Sequence, residues 1–264
     1  MSDFSSAPRK LPTGPCTPPP FLPIFVHTSE IRGLLKKPII DVLIPAYNEE
    51  RSIGKVIEDL PRHMVRHIVV CNNNSSDSTD EVARRHGAKV VYEPAKGYGN
   101  ACLAGIKHLR GLEQRPDIVV FIDGDYSDHP DQLPDLIHPI VHEKVDMVIG
   151  SRALGNLEKG AMQPHQRFGN WLASRLIHIF YGYRFTDLGP FRAIRWDQLE
   201  ALEMQDTNYG WTVEMQVKAA KLKLKTMEVP VDYRPRIGQS KVSGTVKGSV
   251  LAGYKIIWTI FKHL

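Results

Sequence analysis

Cysteine is nearly missing from this chain: three residues, Cys16, Cys71 and Cys102, in 264. Three scattered thiols cannot build a disulfide framework, and their spacing matches no zinc site. They fit a reducing compartment, where Cys71 and Cys102 read as small core filler. Long hydrophobic runs are missing too. No stretch of about 18 uncharged apolar residues occurs, so no spanning helix is expected. The first residues lack the apolar h-region of a secretory signal. No Gly-Lys-Ser/Thr loop is present, which argues against P-loop nucleotide hydrolysis. There is no internal repeat. Together these absences point to a cytoplasmic protein.

What is there is ordinary in amount and uneven in place. Hydrophobic residues make up 42% and charged residues 24%, the balance of a globular chain long enough for a substantial core. The net charge is only +5, yet Met215 to Leu264 hold ten Lys or Arg against two acids, Glu228 and Asp232. That local +8 leaves residues 1–214 at −3. A basic final fifth on a slightly acidic body suits a surface facing phosphate, on a lipid or on a substrate. A solvated charged face is the plainer alternative.

Eight of the nineteen prolines fall in residues 1–38, including Pro18-Pro19-Pro20. Proline fixes φ and removes a donor, so residues 1–37 read as an extended arm, with Phe21 to Val26 able to anchor its end. Residues 38–244 read as one α/β domain and 245–264 as an amphipathic helix. The domain opens with strands expected at Ile39–Ile44, His67–Cys71, Lys89–Tyr92, Asp117–Ile122 and Asp146–Ile149. Between them come helices from about Glu49 to before Pro61, from Thr79 to His86 and from Gly99 to Arg110. Val/Ile-rich strands alternating with helices imply a mostly parallel sheet covered on both faces. Ligands of such sheets sit beyond the carboxyl ends of the strands.

The polar loops lie just there. They are Pro45-Ala46-Tyr47-Asn48-Glu49-Glu50, Asn72 to Thr79, Lys96-Gly97-Tyr98-Gly99-Asn100-Ala101 and Asp123-Gly124-Asp125. Singly, each has a bland reading as a cap or turn, with Ser78 or Asp77 suited to an N-cap. Four at one sheet edge need a ligand. Asp123 and Asp125 flank a glycine directly after a buried strand and repel each other unless a cation intervenes. Mg²⁺ or Mn²⁺ takes few carboxylates plus substrate phosphate oxygens. Asp128 or His129 could complete the coordination. A dinucleotide motif is not formed, because Cys102 stands where G-x-G-x-x-G needs its third glycine.

In order and content, these motifs resemble the nucleotide-sugar half of family-2 inverting glycosyltransferases with the A-type fold. The branch they look most like is that of dolichyl- and polyprenyl-phosphate sugar synthases, and the resemblance covers roughly residues 38–240. It implies a uridine or guanosine diphosphate sugar as donor, UDP favoured. Pro45, Tyr47, Glu49, Asn73, Asp77, Lys96 and Asp123 would bind it, with the metal at Asp123 and Asp125. Asn73 stands where relatives often carry Asp; its amide still offers both a donor and an acceptor. Gly150-Ser151-Arg152, Arg167 with Asn170, and Thr186 to Arg192 resemble acceptor segments, with Pro190 where Gly is common. Arg152, Arg167 and Arg236 would meet the acceptor's phosphate. Lys241 lies in a Gly/Ser-rich basic loop suited to close over a diphosphate.

The expected reaction displaces the diphosphate with inversion, Asp125, Asp187, Glu214 and Arg152 forming the catalytic set. A phosphate acceptor such as polyprenyl phosphate needs no base. A hydroxyl on a soluble acceptor needs one, and Asp187 or Glu214 would serve. On a helical wheel Lys247, Lys255 and Lys262 face away from Val250, Ile257, Ile260, Phe261 and Leu264. Residues 245–264 could therefore lie at the cytoplasmic face of a membrane, or pack on the domain or on a partner subunit of a homo-oligomer. A nucleotidyltransferase would need a triphosphate loop that is not found. A non-catalytic relic binding membrane or nucleic acid would need a dead metal site, and the carboxylates are present; no nucleic-acid partner is expected.

Overall fold

Within the apolar run at residues 40–46, Leu43 faces one core cluster while Val42 and Ile44 face another, because successive strand side chains point to opposite sides. The same split recurs at Val69 and Val70, and at Val119 and Val120. Such strands are buried on both faces and must be covered by helices on both. The computed structural model describes residues 37–238 and 246–264 of the chain, and Pro38–Leu264 make one compact unit. The proline-rich arm and Lys241 lie outside the described residues.

In chain order the elements are β1 (Ile40–Ala46), α1 (Ile53–Asp59), β2 (Val65–Asn72), α2 (Thr79–Arg85), β3 (Lys89–Tyr92) and α3 (Tyr98–Arg110). Next come β4 (Ile118–Phe121), a 3₁₀ turn at Pro130–Gln132, α4 (Leu133–His142), β5 (Met147–Ser151) and α5 (Pro164–Tyr181). The chain finishes with β6 (Arg192–Arg195), α6 (Trp196–Ala201), α7 (Trp211–Lys221), β7 (Thr226–Pro230) and α8 (Val246–Lys262). The sheet order is β3-β2-β1-β4-β6-β5-β7. Strands β1 to β4 pair in parallel; β6 runs antiparallel to β4 and β5, and β7 is parallel to β5.

The sheet is therefore A-type in layout and mixed in direction. Five expected strands become seven. Strand β6 was hidden because its apolar pair is flanked by Arg192 and Arg195, and Arg192 is fully buried. Its guanidinium donates to the Leu188, Gly189 and Thr212 carbonyls, which is how a charge survives there. One core cluster joins the sheet to α3, α5 and α7, the other to α1 and α4.

Helix α8 packs on α5 and α7. Ile260 is fully buried and the Tyr181 hydroxyl donates to its carbonyl at 2.5 Å. Apolar residues also lie on its outer side, where Val250, Leu251, Tyr254, Trp258 and Phe261 are exposed. No helix of the described residues is long and apolar enough to cross a membrane.

Candidate active site

The order β3-β2-β1-β4 reverses direction at β1, and a crevice opens where the β1 and β4 loops part. Two polar loops build its rim. Asn48, at φ +55°, turns the chain after β1. Its amide oxygen accepts from the Ser76 N–H at 2.8 Å, and the Ser75 hydroxyl accepts from the Asn48 N–H at 3.0 Å. The Glu49 N–H donates to the Thr79 hydroxyl at 2.8 Å, and the Glu50 N–H to Asp77 at 3.2 Å. These bonds stitch the β1 loop to the β2 loop.

The crevice holds a cavity of about 300 Å³ lined by Pro45, Tyr47, Glu49, Asn73, Lys96, Gly97, Tyr98, Asp123, Asp125, Asn208, Tyr209 and Arg236, among others. Six of the expected nucleotide-sugar residues, Pro45, Tyr47, Glu49, Asn73, Lys96 and Asp123, thus meet in one place. Lys96 lies over the Tyr47 ring, 5.2 Å from its centroid. The Asn73 amide lines the wall but is already engaged: it donates to the Ala95 carbonyl at 2.7 Å and accepts from the Gly97 N–H at 2.7 Å. Asp77 is not among the lining residues. Its carboxylate accepts from the Thr79 N–H and the Glu50 N–H, capping the loop.

At the floor stand the carboxylates. Asp123 accepts from the Tyr98 hydroxyl at 2.9 Å, and burial followed by the charge of Asp125 pushes its carboxyl up to about 7. Asp125 accepts from the Ser127 N–H at 2.9 Å through one oxygen. Its other oxygen pairs with the Arg236 guanidinium at 3.2 Å, and Arg236 also reaches Glu49 at 3.0 Å. Arg236 was expected on the acceptor; the structure places it across the carboxylates of this cavity instead. Nearby, Asp128 is buried with both oxygens lacking a hydrogen-bond partner. Burial, then Asp123 and Asp125, raise its carboxyl well above the ordinary range.

This donor set suits a hard divalent cation. It is all oxygen, crowded with like charge, and includes an orphaned buried carboxylate. No three His, Cys, Asp or Glu side chains form a ready cage among the described residues, so phosphate oxygens would have to complete the coordination. His129 takes no part, since its ring faces Asp131 at 3.8 Å.

A second cavity, of about 770 Å³, opens along α5. Arg152, Arg167, Asn170, Trp171, Arg175, His178, Arg184 and Asp187 are in its lining. Arg152 is gripped by Asp187: Nε to Oδ2 and Nη2 to Oδ1 both measure 2.7 Å, and the Arg152 N–H adds a third bond at 2.8 Å. Burial opposes the charge on Arg152, but the Asp187 carboxylate outweighs it. Both Asp187 oxygens are thereby engaged by Arg152 in the free protein. Arg167, Arg175 and Arg184 have no acidic partner among the described residues.

The two cavities are linked by charge, Arg152 of one acting on Asp123 of the other. Arg152 stacks on the Tyr233 ring at 5.0 Å, Tyr233 bridges to Asp128, and Asp128 feels the charges of Asp123, Asp125 and Arg152 together. Glu214 lines neither cavity. It is 1% exposed, pairs with Lys218 at 2.8 Å and accepts the Gln205 and Asp206 N–H groups. The structure therefore does not bring Glu214 into either cavity. Tyr98, Asn208, Tyr209, Arg175, Arg184 and Tyr233 were not anticipated. Only Tyr98 carried a signal, by sitting between two glycines.

The description "Glycosyl transferase family 2" matches residues 41–202. An uncharacterized glycosyltransferase of Mycobacterium tuberculosis is 35% identical over 215 residues, 81% of this chain and 94% of that relative. The undecaprenyl-phosphate mannosyltransferase of Micrococcus luteus is 31% identical over 79% of this chain and 89% of its own. The fold is also that of M. tuberculosis glucosyl-3-phosphoglycerate synthase, solved with Mn²⁺, UDP-glucose and phosphoglyceric acid. The TM-score is 0.68 at 21% identity, over 92% of this chain and 85% of that one. Similar proteins thus include both lipid-phosphate and soluble-acceptor enzymes, so the narrower polyprenyl-phosphate branch is not retained. The expectation of polyprenyl phosphate as acceptor is corrected as well: the M. tuberculosis synthase is solved with phosphoglyceric acid together with Mn²⁺ and UDP-glucose.

Proposed function

The chain belongs to glycosyl transferase family 2, and from that premise we propose that it transfers a sugar from a UDP-sugar to a small soluble acceptor bearing a phosphate. One observation carries the reading. Two cavities lie at the carboxyl edge of the sheet, one floored by paired carboxylates and one lined by arginines, of which Arg167, Arg175 and Arg184 have no acidic partner among the described residues.

In this reading the 300 Å³ cavity takes the donor. Tyr47 and Asn73 would line the nucleoside, and Lys96, held over the Tyr47 ring, would place a cation beside the diphosphate. Asp123 and Asp125 would hold Mg²⁺ or Mn²⁺, which when bound would neutralise charge building on the leaving diphosphate. Arg236 balances the charge of Asp125 and Glu49 in the free protein and stands within reach of the same phosphates. The acceptor's phosphate would lie against Arg167, Arg175 and Arg184, with Arg152 held by Asp187 at the boundary. An acceptor hydroxyl so placed would attack the anomeric carbon from the side away from the diphosphate, giving its proton to Asp187 in the same cavity as the bond to the diphosphate breaks, which inverts the anomeric centre.

The test is acceptor-dependent release of UDP. With Mn²⁺, UDP-glucose and a panel of soluble phosphorylated acceptors that includes phosphoglycerate, at least one acceptor should accelerate UDP release. Asp125→Ala should lower that rate by on the order of 10²-fold. Release that no soluble phosphate accelerates would contradict the proposal.

A further inference from the structure

One wall of the donor cavity is held from outside it. Asn208 and Tyr209 belong to the connection between α6 and α7, which has no strand to support it. Three contacts fix that connection. Glu214 of α7 accepts the Asp206 N–H at 2.7 Å and the Gln205 N–H at 3.1 Å. The backbone of Asp206 and Thr207 lies directly on the start of α3: the Thr207 carbonyl accepts from the Asn100 N–H at 3.0 Å, and a Cβ at Gly97 or Gly99 would overlap the Thr207 or Asp206 carbonyl. Finally, the Asp206 carboxylate is nearly buried and does two jobs. Oδ1 accepts the Asn208 and Gly210 N–H groups at 2.8 and 3.1 Å, while Oδ2 lies 3.0 Å from Lys255 Nζ.

Lys255 comes from α8, and neither it nor any other α8 residue is in the lining of this cavity. A nearly buried carboxylate without a counter-charge is costly, and it would relax toward water and carry its loop along. We propose that Lys255 is a positioning residue for the nucleotide. Its ion pair with Asp206 latches residues 206–209 onto α3, so that Asn208 and Tyr209 stand ready at the donor wall. The C-terminal helix thereby sets donor affinity without touching the donor. The inference rests on the reading of this cavity as the nucleotide site.

The experiment is calorimetric titration of UDP, with Mn²⁺ present, into the full chain and its variants, each checked for its melting temperature. Lys255→Met should weaken UDP binding about five- to tenfold, the loss of one charge-assisted contact. Lys255→Arg should bind within about twofold of the wild type. Asp206→Asn keeps the Oδ1 acceptor and removes the charge, and it should match Lys255→Met, so the claim does not hang on one variant folding. Lys262→Met, on the same helix, should bind UDP as the wild type does. Unchanged affinity in Lys255→Met and Asp206→Asn would overturn the latch alone. Arginine failing to rescue would also overturn it. A wild type that binds no UDP would remove the nucleotide reading and the latch together.

Discussion

Asp187 and Glu214 are both carboxylates beside the chemistry in sequence and both anchors in space. Asp187 gives two oxygens to Arg152, and Glu214 gives its own to two backbone N–H groups and Lys218. A residue's type is legible from a sequence; its partners are not, because they come from segments 35 residues away for Asp187 and nine for Glu214. Asp125 was easier, since its neighbour Asp123 is two positions off and the repulsion is local. At the same scale, His108 offers a pH test. Burial, then Lys89, lowers the pKa of its ring, Asp41 raises it in part, and His67 is the other titrating neighbour. Unfolded, the ring takes its proton near 6.5, whereas folded it resists to lower pH. Its contribution to stability is therefore full above that value and lost as pH falls. Between about pH 7.5 and 5.5 the wild type should lose about 1–2 °C more in melting temperature than His108→Gln. Parallel melting curves for the two proteins would refute the assignment.

Among elements, the first five strands and first three helices were readable because local pattern and burial agree. Continuous apolar strands ended in polar loops, and the loops lie at the carboxyl edge where a parallel sheet puts its ligand. Strand β6 carries a fully buried arginine that breaks the apolar pattern, and β7 is half-exposed along its length. Both were therefore silent. In sequence, Gly97-Tyr98-Gly99 reads as part of a ligand loop and as a failed dinucleotide motif, whereas its glycines also make room for the backbone that lies on them. Gly97 has φ +142°, and at Gly99 there is no room for a methyl group against the Asp206 carbonyl. Gly99→Ala should force that carbonyl away, costing about 1–3 kcal/mol in denaturant unfolding and weakening UDP binding as well. Unfolding and binding both unchanged would show that the contact is dispensable.

For the whole molecule, the donor half was more fully legible than the acceptor half, of which only Arg152, Arg167, Asn170, Thr186 and Asp187 were signalled. The donor residues sit in short loops after consecutive strands, so order along the chain nearly matches order in space. The acceptor cavity draws on α5, the residues after β5 and the loop before β6. Arg167 was signalled by its segment, whereas Arg175 and Arg184 carry no signal of their own; among the described residues none of the three has an acidic partner. The account stands on a divalent cation and a nucleotide diphosphate meeting at Asp123 and Asp125. The most direct measurement is the affinity of UDP for the wild type and for Asp125→Asn, each with Mn²⁺ and with a chelator. Mn²⁺ should tighten binding to the wild type by about tenfold or more, and Asp125→Asn should lose that gain. Equal affinity with and without metal in the wild type, or a full metal effect retained in Asp125→Asn, would contradict it.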